Sequence, residues 1–366
     1  MTGTSTMPRG SAERASADPV PADPAPADPV RTPGRDDGRR LPRWTALVLA
    51  AGLLVVACLA SLFLGSRETD LAGVWSVLRG DGEEHLRQVV AARGARTVLG
   101  AAVGAALAAS GLIIQGVTRN PLGEPGLLGV TSGASAAVVT ATAFLGFSGG
   151  AGTVWIALPG ALLAVVVVYL LGRPAGTHSV VPLILAGAVI SAVLYAYIQA
   201  MILTRPEVFE SYRHWVVGSL AGASYGTLAA VGPALLLGLL LAGLVAPGLN
   251  TLALGDDVAT ALGTRVGLVR AASILAATLL AAAATAAVGP IAFIGLAVPH
   301  LVRALVGTDH RWQLPASLLL GAALLLGSDV VARVIVRPQE LMVGVITAFL
   351  GAPFLLWAVR RGMVTT

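Results

Sequence analysis

From Trp44 onward the sequence is a succession of apolar runs separated by short polar turns. A bilayer core takes about 20 apolar residues as one helix. On that measure runs fall near 44–65, 97–117, 127–147, 152–172, 181–203, 226–248, 268–288, 291–307, 314–335 and 343–359. Chain in hydrocarbon must satisfy its own backbone polar groups, which a helix does within one segment. The pattern predicts an all-α polytopic membrane protein of about ten transmembrane helices. Composition agrees: 12% of the 366 residues are charged and 56% hydrophobic, whereas a soluble domain carries about 25% charged residues.

The flanks are different in kind. The stretch ADPVPADPAPADPV (17–30) repeats Ala-Asp-Pro without apolar periodicity, and prolines at that density favour extended, solvated chain. Residues 1–43 are expected to be a disordered cytoplasmic tail, 44–361 the transmembrane domain and 362–366 a short C-terminal tail. The run after Arg43 is long enough to span, which speaks against a cleaved signal peptide. Cys58 is the single cysteine and has no partner for an internal disulfide. Apolar residues continue through Gly65, so it reads as a plain first-helix cysteine rather than a lipidation site. The segment SYRHWVVGSLAG (211–222) is too short to cross and is expected at the surface or dipping in, with Tyr212 and Trp215 suited to an interface.

Charge sets orientation and excludes functions. All 24 basic residues are arginine. A Walker A phosphate loop needs a lysine after glycine, so any ATP that drives this protein is bound by another subunit. The arginines sit at loop ends rather than in a stripe, which fits membrane flanks and not nucleic acid. With the N-terminus inside, fifteen arginines fall on the inner side and nine on the outer. That bias places both termini in the cytoplasm.

The stretch around which the chain is organised is RGARTVLGAAVGAALAASGLIIQGVTRNPLGEPGLLGVTSGA, residues 93–134. Gly100, Gly104, Ala108 and Gly111 recur at helical spacing, and small residues on one face let backbones approach closely in hydrocarbon. Two prolines and two glycines within 121–126 then break the helix. Irregular backbone at this depth must line a cavity or be packed in protein. Later, in NTLALGDDVATALGTR (250–265), Asp256 or Asp257 is expected to cap a short helix ending at Gly263. That helix would leave Val258, Ala261 and Leu262 as one exposed apolar face, as partner docking requires.

The RxxR pair, the glycine-rich helix and RNPLxxPGLLGVxxGA resemble the FecCD-type permease family, the membrane subunits of ABC importers for iron-siderophore complexes, haem and cobalamin. LILAG (183–187), GDDVATALG (255–263), GPIAFIGLAVPHLVR (289–303), SDVVAR (328–333) and ELMVGVITAFLGAPF (340–354) continue the resemblance. It implies the type II ABC importer permease fold, acting as a dimer with a second permease copy or paralogue. It also implies ABC ATPase subunits that carry the ATP and magnesium, and an extracytoplasmic substrate-binding protein. No enzyme activity and no cofactor or metal are expected in this chain itself. By resemblance, Gly255, Asp257, Ala259, Leu262 and Gly263 form the ATPase-coupling loop. Asn120, Pro121 and Leu122 form part of the inner gate, with a second gate turn near Ser179–Val181. Arg93, Arg96 and Arg333 dock the binding protein. The chain departs from the usual pattern at Ala95 and Met342, where the family commonly has proline.

Two other features are read from the residues alone. His300 follows Pro299 in an apolar segment with no second metal ligand in sight, so a packing role is expected. Ser110 and Gln115 are polar groups within a span, able to join helices or line the route. The expected cargo is a ferric siderophore, with haem or cobalamin as alternatives. An ion-coupled secondary transporter is the reading from another class. It needs intramembrane carboxylates, whereas Glu124, Asp309 and Glu340 fall at the ends of runs and Asp329 approaches one.

Overall fold

The computed structural model describes residues 42–66, 71–81, 83–147, 152–172 and 181–360. The tail expected over 1–43 lies almost wholly outside the described residues, and 362–366 wholly outside. Among the described residues there is no strand. The helices are α1 (Arg43–Phe63), α2 (Leu71–Arg79), α3 (Glu84–Thr118), α4 (Val130–Leu145), α5 (Thr153–Leu171), α6 (Val181–Thr204) and α7 (Pro206–Trp215). They continue with α8 (Tyr225–Leu252), α9 (Asp256–Ala261), α10 (Val266–Val288), α11 (Ile294–Val306), α12 (His310–Val334) and α13 (Val343–Arg360).

Every apolar run of the sequence becomes a helix, but length separates them. Among the described residues seven helices (α1, α3, α5, α6, α8, α10 and α12) are long and apolar enough to cross a membrane, whereas α4, α11 and α13 contribute shorter apolar stretches. The 13 residues of α11 rise about 20 Å, less than a hydrocarbon core of about 30 Å. The cause is local. Gly289 at φ 80° ends α10, and Phe293 at φ 72° opens α11, so residues 289–293 run unwound between them. At the other extreme, α3 has 35 residues and begins well before its apolar run. Its opening EHLRQVVAARGAR carries charges that hydropathy skips, yet most of these residues are good helix formers.

The core is built on α3, α10 and α12. The apolar stretches of α3 and α10 are 78% buried, against 17% for α6. Close approach explains this. A Cβ added to Gly104 would overlap the Gly321 carbonyl of α12, and one added to Gly111 would overlap the backbone of Gly295 at the start of α11. Leu326 and Leu220 close over Gly100. The small-residue face of the sequence is the seam along which α3 meets α11 and α12. Between α7 and α8 the chain wedges into the α10–α11 gap, where the Ser219 N–H donates to the Val288 carbonyl at 2.8 Å.

Candidate functional site

Polar groups gather at both ends of α3. At its C-terminal end Arg119 takes a left-handed conformation, φ 49°, and stops the helix. Asn120 stiffens the turn beyond it: its Oδ1 accepts from the Leu122 N–H at 2.9 Å, and its carbonyl accepts from the Gly123 N–H at 2.9 Å. Leu122 is left exposed. The chain then turns back through a short 3-10 turn, Pro125–Leu128. The Leu127 carbonyl sits so close to Gly187 of α6 that a side chain there would overlap it. Of the second gate turn, residues 179 and 180 lie outside the described residues, and Val181 opens α6 on an exposed surface.

The loop 250–265 meets that turn. Its helix α9 is capped by Gly255 at φ 108°, with no side chain bonded to the cap. This corrects the expectation that Asp256 or Asp257 would cap it, because the Asp256 carboxylate is taken by two guanidinium groups. Arg119 pairs with its Oδ1 and Arg270 of α10 with its Oδ2 at 3.2 Å. Burial alone would raise the Asp256 carboxyl, but Arg270 and Arg119 outweigh it and hold its pKa below the ordinary aspartate value. Val258 and Leu262 are 46% and 61% exposed, and Asp257, Ala261 and Gly263 are exposed beside them. Gly255 is half-buried. Ala259 is fully buried, so it packs the helix onto its own chain.

Beside this loop Asn250 ties α8 to α12. Its Nδ2 donates to Asp309 Oδ1 at 2.7 Å, and its Oδ1 accepts from the His310 N–H at 2.9 Å. Sequence reasoning singled out neither Asn250 nor the roles of Arg119, Asp256 and Arg270. The only signal was the doubled acid of Gly255-Asp256-Asp257, and no spacing rule links residue 119 to residue 256.

Toward the other end of α3, the three arginines expected at one rim are brought together. Arg333 is 2% exposed. Its Nη2 lies 3.0 Å from Asp329 and donates to Ser61 Oγ at 2.9 Å. Arg96 forks Asp329 and reaches Glu340, with closest distances of 2.7 and 2.8 Å. Arg93 donates to the Leu62 and Phe63 carbonyls, which satisfies carbonyls left open where α1 ends. All three line a cavity of about 260 Å³ with Glu340, Ser66 and Leu220. Glu340 and Arg96 form its accessible edge. Arg93 and Arg333 are buried and extend into neither solvent nor lipid as snorkelling side chains would.

Inside the bundle Ser110 donates to the Ala277 carbonyl at 2.6 Å, joining α3 to α10. Gln115 donates to the Gly295 carbonyl at 3.1 Å and accepts from Arg303 at 2.9 Å, joining α3 to α11. His300 is buried, with Nδ1 2.7 Å from the Leu296 carbonyl.

A bundle of apolar helices with ion-pair clusters at both ends, and a short loop helix presenting an apolar face, is the architecture of a multi-pass membrane protein, and its likeness to known proteins makes it a permease of an ABC transporter. The fold matches a solved ABC transporter of metal-chelate type in an inward-facing conformation, with a TM-score of 0.76 and 29% identity over 87% of this chain and 100% of that one. The chain belongs to the FecCD transport family, whose pattern it matches over residues 53–361. It is 43% identical to the ferric enterobactin transport system permease protein of Escherichia coli K12, covering 84% of this chain and 93% of that protein. It is 36% identical to the hemin transport system permease protein of Yersinia pestis, covering 84% and 93%.

Proposed function

We propose that the chain is the permease subunit of an ATP-driven importer that carries a ferric siderophore across the cytoplasmic membrane. The single observation that carries this reading is the 43% identity to a ferric enterobactin permease over nearly the whole of both chains. In this reading both termini are cytoplasmic, and the three shorter apolar helices complete ten spans. Two copies, or one copy and a paralogue, enclose the route between them. ATP and magnesium are held by ATPase subunits that dock on the exposed Val258–Leu262 face with Gly255, Asp257 and Gly263. The buried Ala259 acts there only by fixing the helix. Asn120, Pro121 and Leu122 form the inner gate. Arg93, Arg96 and Arg333 line the cavity that receives acidic side chains of an extracytoplasmic binding protein.

The test is uptake by the transporter reconstituted with its ATPase and binding protein, comparing a ferric catecholate siderophore, a ferric hydroxamate and haem. ATP-dependent accumulation of a siderophore is expected. Accumulation of haem alone would transfer the assignment to the second reading, which the 36% identical hemin permease supports.

A further inference from the structure

In the sequence Glu124 stands at the end of an apolar run, and in the folded chain it is half-buried beside a cavity between helices. Glu124 lines a cavity of about 250 Å³ with Leu107, Thr131, Tyr195, Thr285 and Gly295. Leu107 lies eleven residues before the end of α3, about 16 Å along the helix axis, or roughly half of a 30 Å hydrocarbon core. The cavity forms where two helical ladders are interrupted together, at the turn after α3 and at the unwound residues 289–293. Unwound backbone at such depth is tolerated where it lines a polar cavity.

The carboxylate has no hydrogen bond or ion pair to any described residue. An unpaired acid in that setting is costly unless water, a proton or a ligand meets it. Around it stand the hydroxyl groups of Thr131, Thr285 and Tyr195. Tyr195 is 50% exposed on α6, the least covered of the long helices, so the pocket opens on that helix's free face. Its volume is below the roughly 300–1,000 Å³ of pockets that enclose a drug-sized ligand. One carboxylate is also too small a donor set for a metal ion.

We propose that this cavity is a water-filled subsite in the wall of the transport route, where Glu124 receives a cationic or hydrogen-bond-donating arm of the passing cargo. The cargo part of this inference rests on the importer function proposed above. The charge part does not.

The experiment uses the assembled transporter with Cys58→Ala, which removes the chain's single cysteine, and Thr131→Cys as the probe. A small cationic methanethiosulfonate should react at least fivefold faster than its anionic counterpart. Adding Glu124→Gln should abolish that preference. Cargo delivered during ATP turnover should slow the cationic reaction severalfold. Glu124→Gln and Glu124→Ala should each lower cargo transported per ATP about tenfold while binding-protein association stays unchanged. If Thr131→Cys does not assemble, Tyr195→Cys on the open side serves as the probe. Equal rates for the two reagents, or no reaction at either position, overturn the proposal. A charge preference that cargo does not alter, together with wild-type transport by Glu124→Ala, overturns the cargo role. Absence of uptake of every siderophore by the unmodified transporter counts against the importer function instead, and the reagent comparison still decides the pocket.

Discussion

Arg119, the residue that stops α3, forms an ion pair with Asp256, the first residue of the loop helix α9. The two are 137 positions apart in sequence. The pair binds the Asn-Pro-Leu turn directly to the loop proposed to meet the ATPase, and Arg270 draws α10 into the same contact. A displacement of α9 therefore has a short physical route to the turn.

Breaking that contact tests the route. Asp256→Asn is expected to leave folding nearly unchanged, because an ion pair this exposed contributes about 0–1 kcal/mol. Transport should fall severalfold while ATP hydrolysis in the complex continues. Measuring both rates on one preparation separates the outcomes, and a variant in which the two fall in proportion would argue against coupling through Asp256.

The same carboxylate sets a pH window. Its folded pKa is below the ordinary aspartate value, so its stabilising effect is full above the unfolded value and is lost as pH falls through the folded one. Wild type and Asp256→Asn should therefore differ in Tm by a constant amount from pH 8 to about 5, and the difference should vanish only in stronger acid. A thermal-melt series in detergent reads this directly.

Leu262→Asp puts a charge on the exposed face of α9, at a residue 61% exposed. Membrane insertion should be normal, since no span is touched. Association with the ATPase should be lost, because burying an unpaired charge at an interface costs roughly several kcal/mol. Co-purification decides it, and an intact complex would remove the coupling role from this face.

The arginines should divide by burial. Arg333→Ala removes one of the two guanidinium partners of the fully buried Asp329 and the donor to Ser61, and losing a partner of a buried pair costs up to about 3–5 kcal/mol, so the variant should melt early. Arg96→Ala removes a charge at the accessible edge of the cavity and leaves Asp329 its pair with Arg333. It should slow binding-protein association at low salt, with the difference shrinking at 1 M, where the Debye length is about 3 Å. Association rates over a salt series, beside melting curves, distinguish the two.

Glycine substitutions should follow the helix seam. Gly111→Ala drives a methyl group into the Gly295 backbone, whereas Gly243→Ala on α8 meets nothing within 4 Å. Overpacking of this kind costs about 1–3 kcal/mol or more, and two fixed backbones have no side chain to give way. Gly243→Ala should be neutral or slightly stabilising. Yield and Tm of the two proteins measure the contrast.

Hydropathy alone located ten helical runs, because insertion into hydrocarbon is a property of each segment by itself. The spacing of Gly100, Gly104 and Gly111 likewise announced a packing face, since helical periodicity is local. Neither could say which helices cross. The lengths of α4 and α11 are decided by left-handed residues such as Phe293, and φ is not written in hydropathy.

The candidate site divides in the same way. Local pattern sufficed to put Arg93 and Arg96 at the mouth of an apolar run and Arg333 near the end of another, and to put Val258 and Leu262 on one face of a short helix. It took the packed bundle to bind Asp256 to Arg119 rather than to the cap of α9, to bury Arg333 against Asp329, and to bring Glu124 to a cavity that Leu107 also lines. These are pairings and depths set by how separate helices stack, and electrostatic partners are chosen by distance in space, which separation along the chain does not encode.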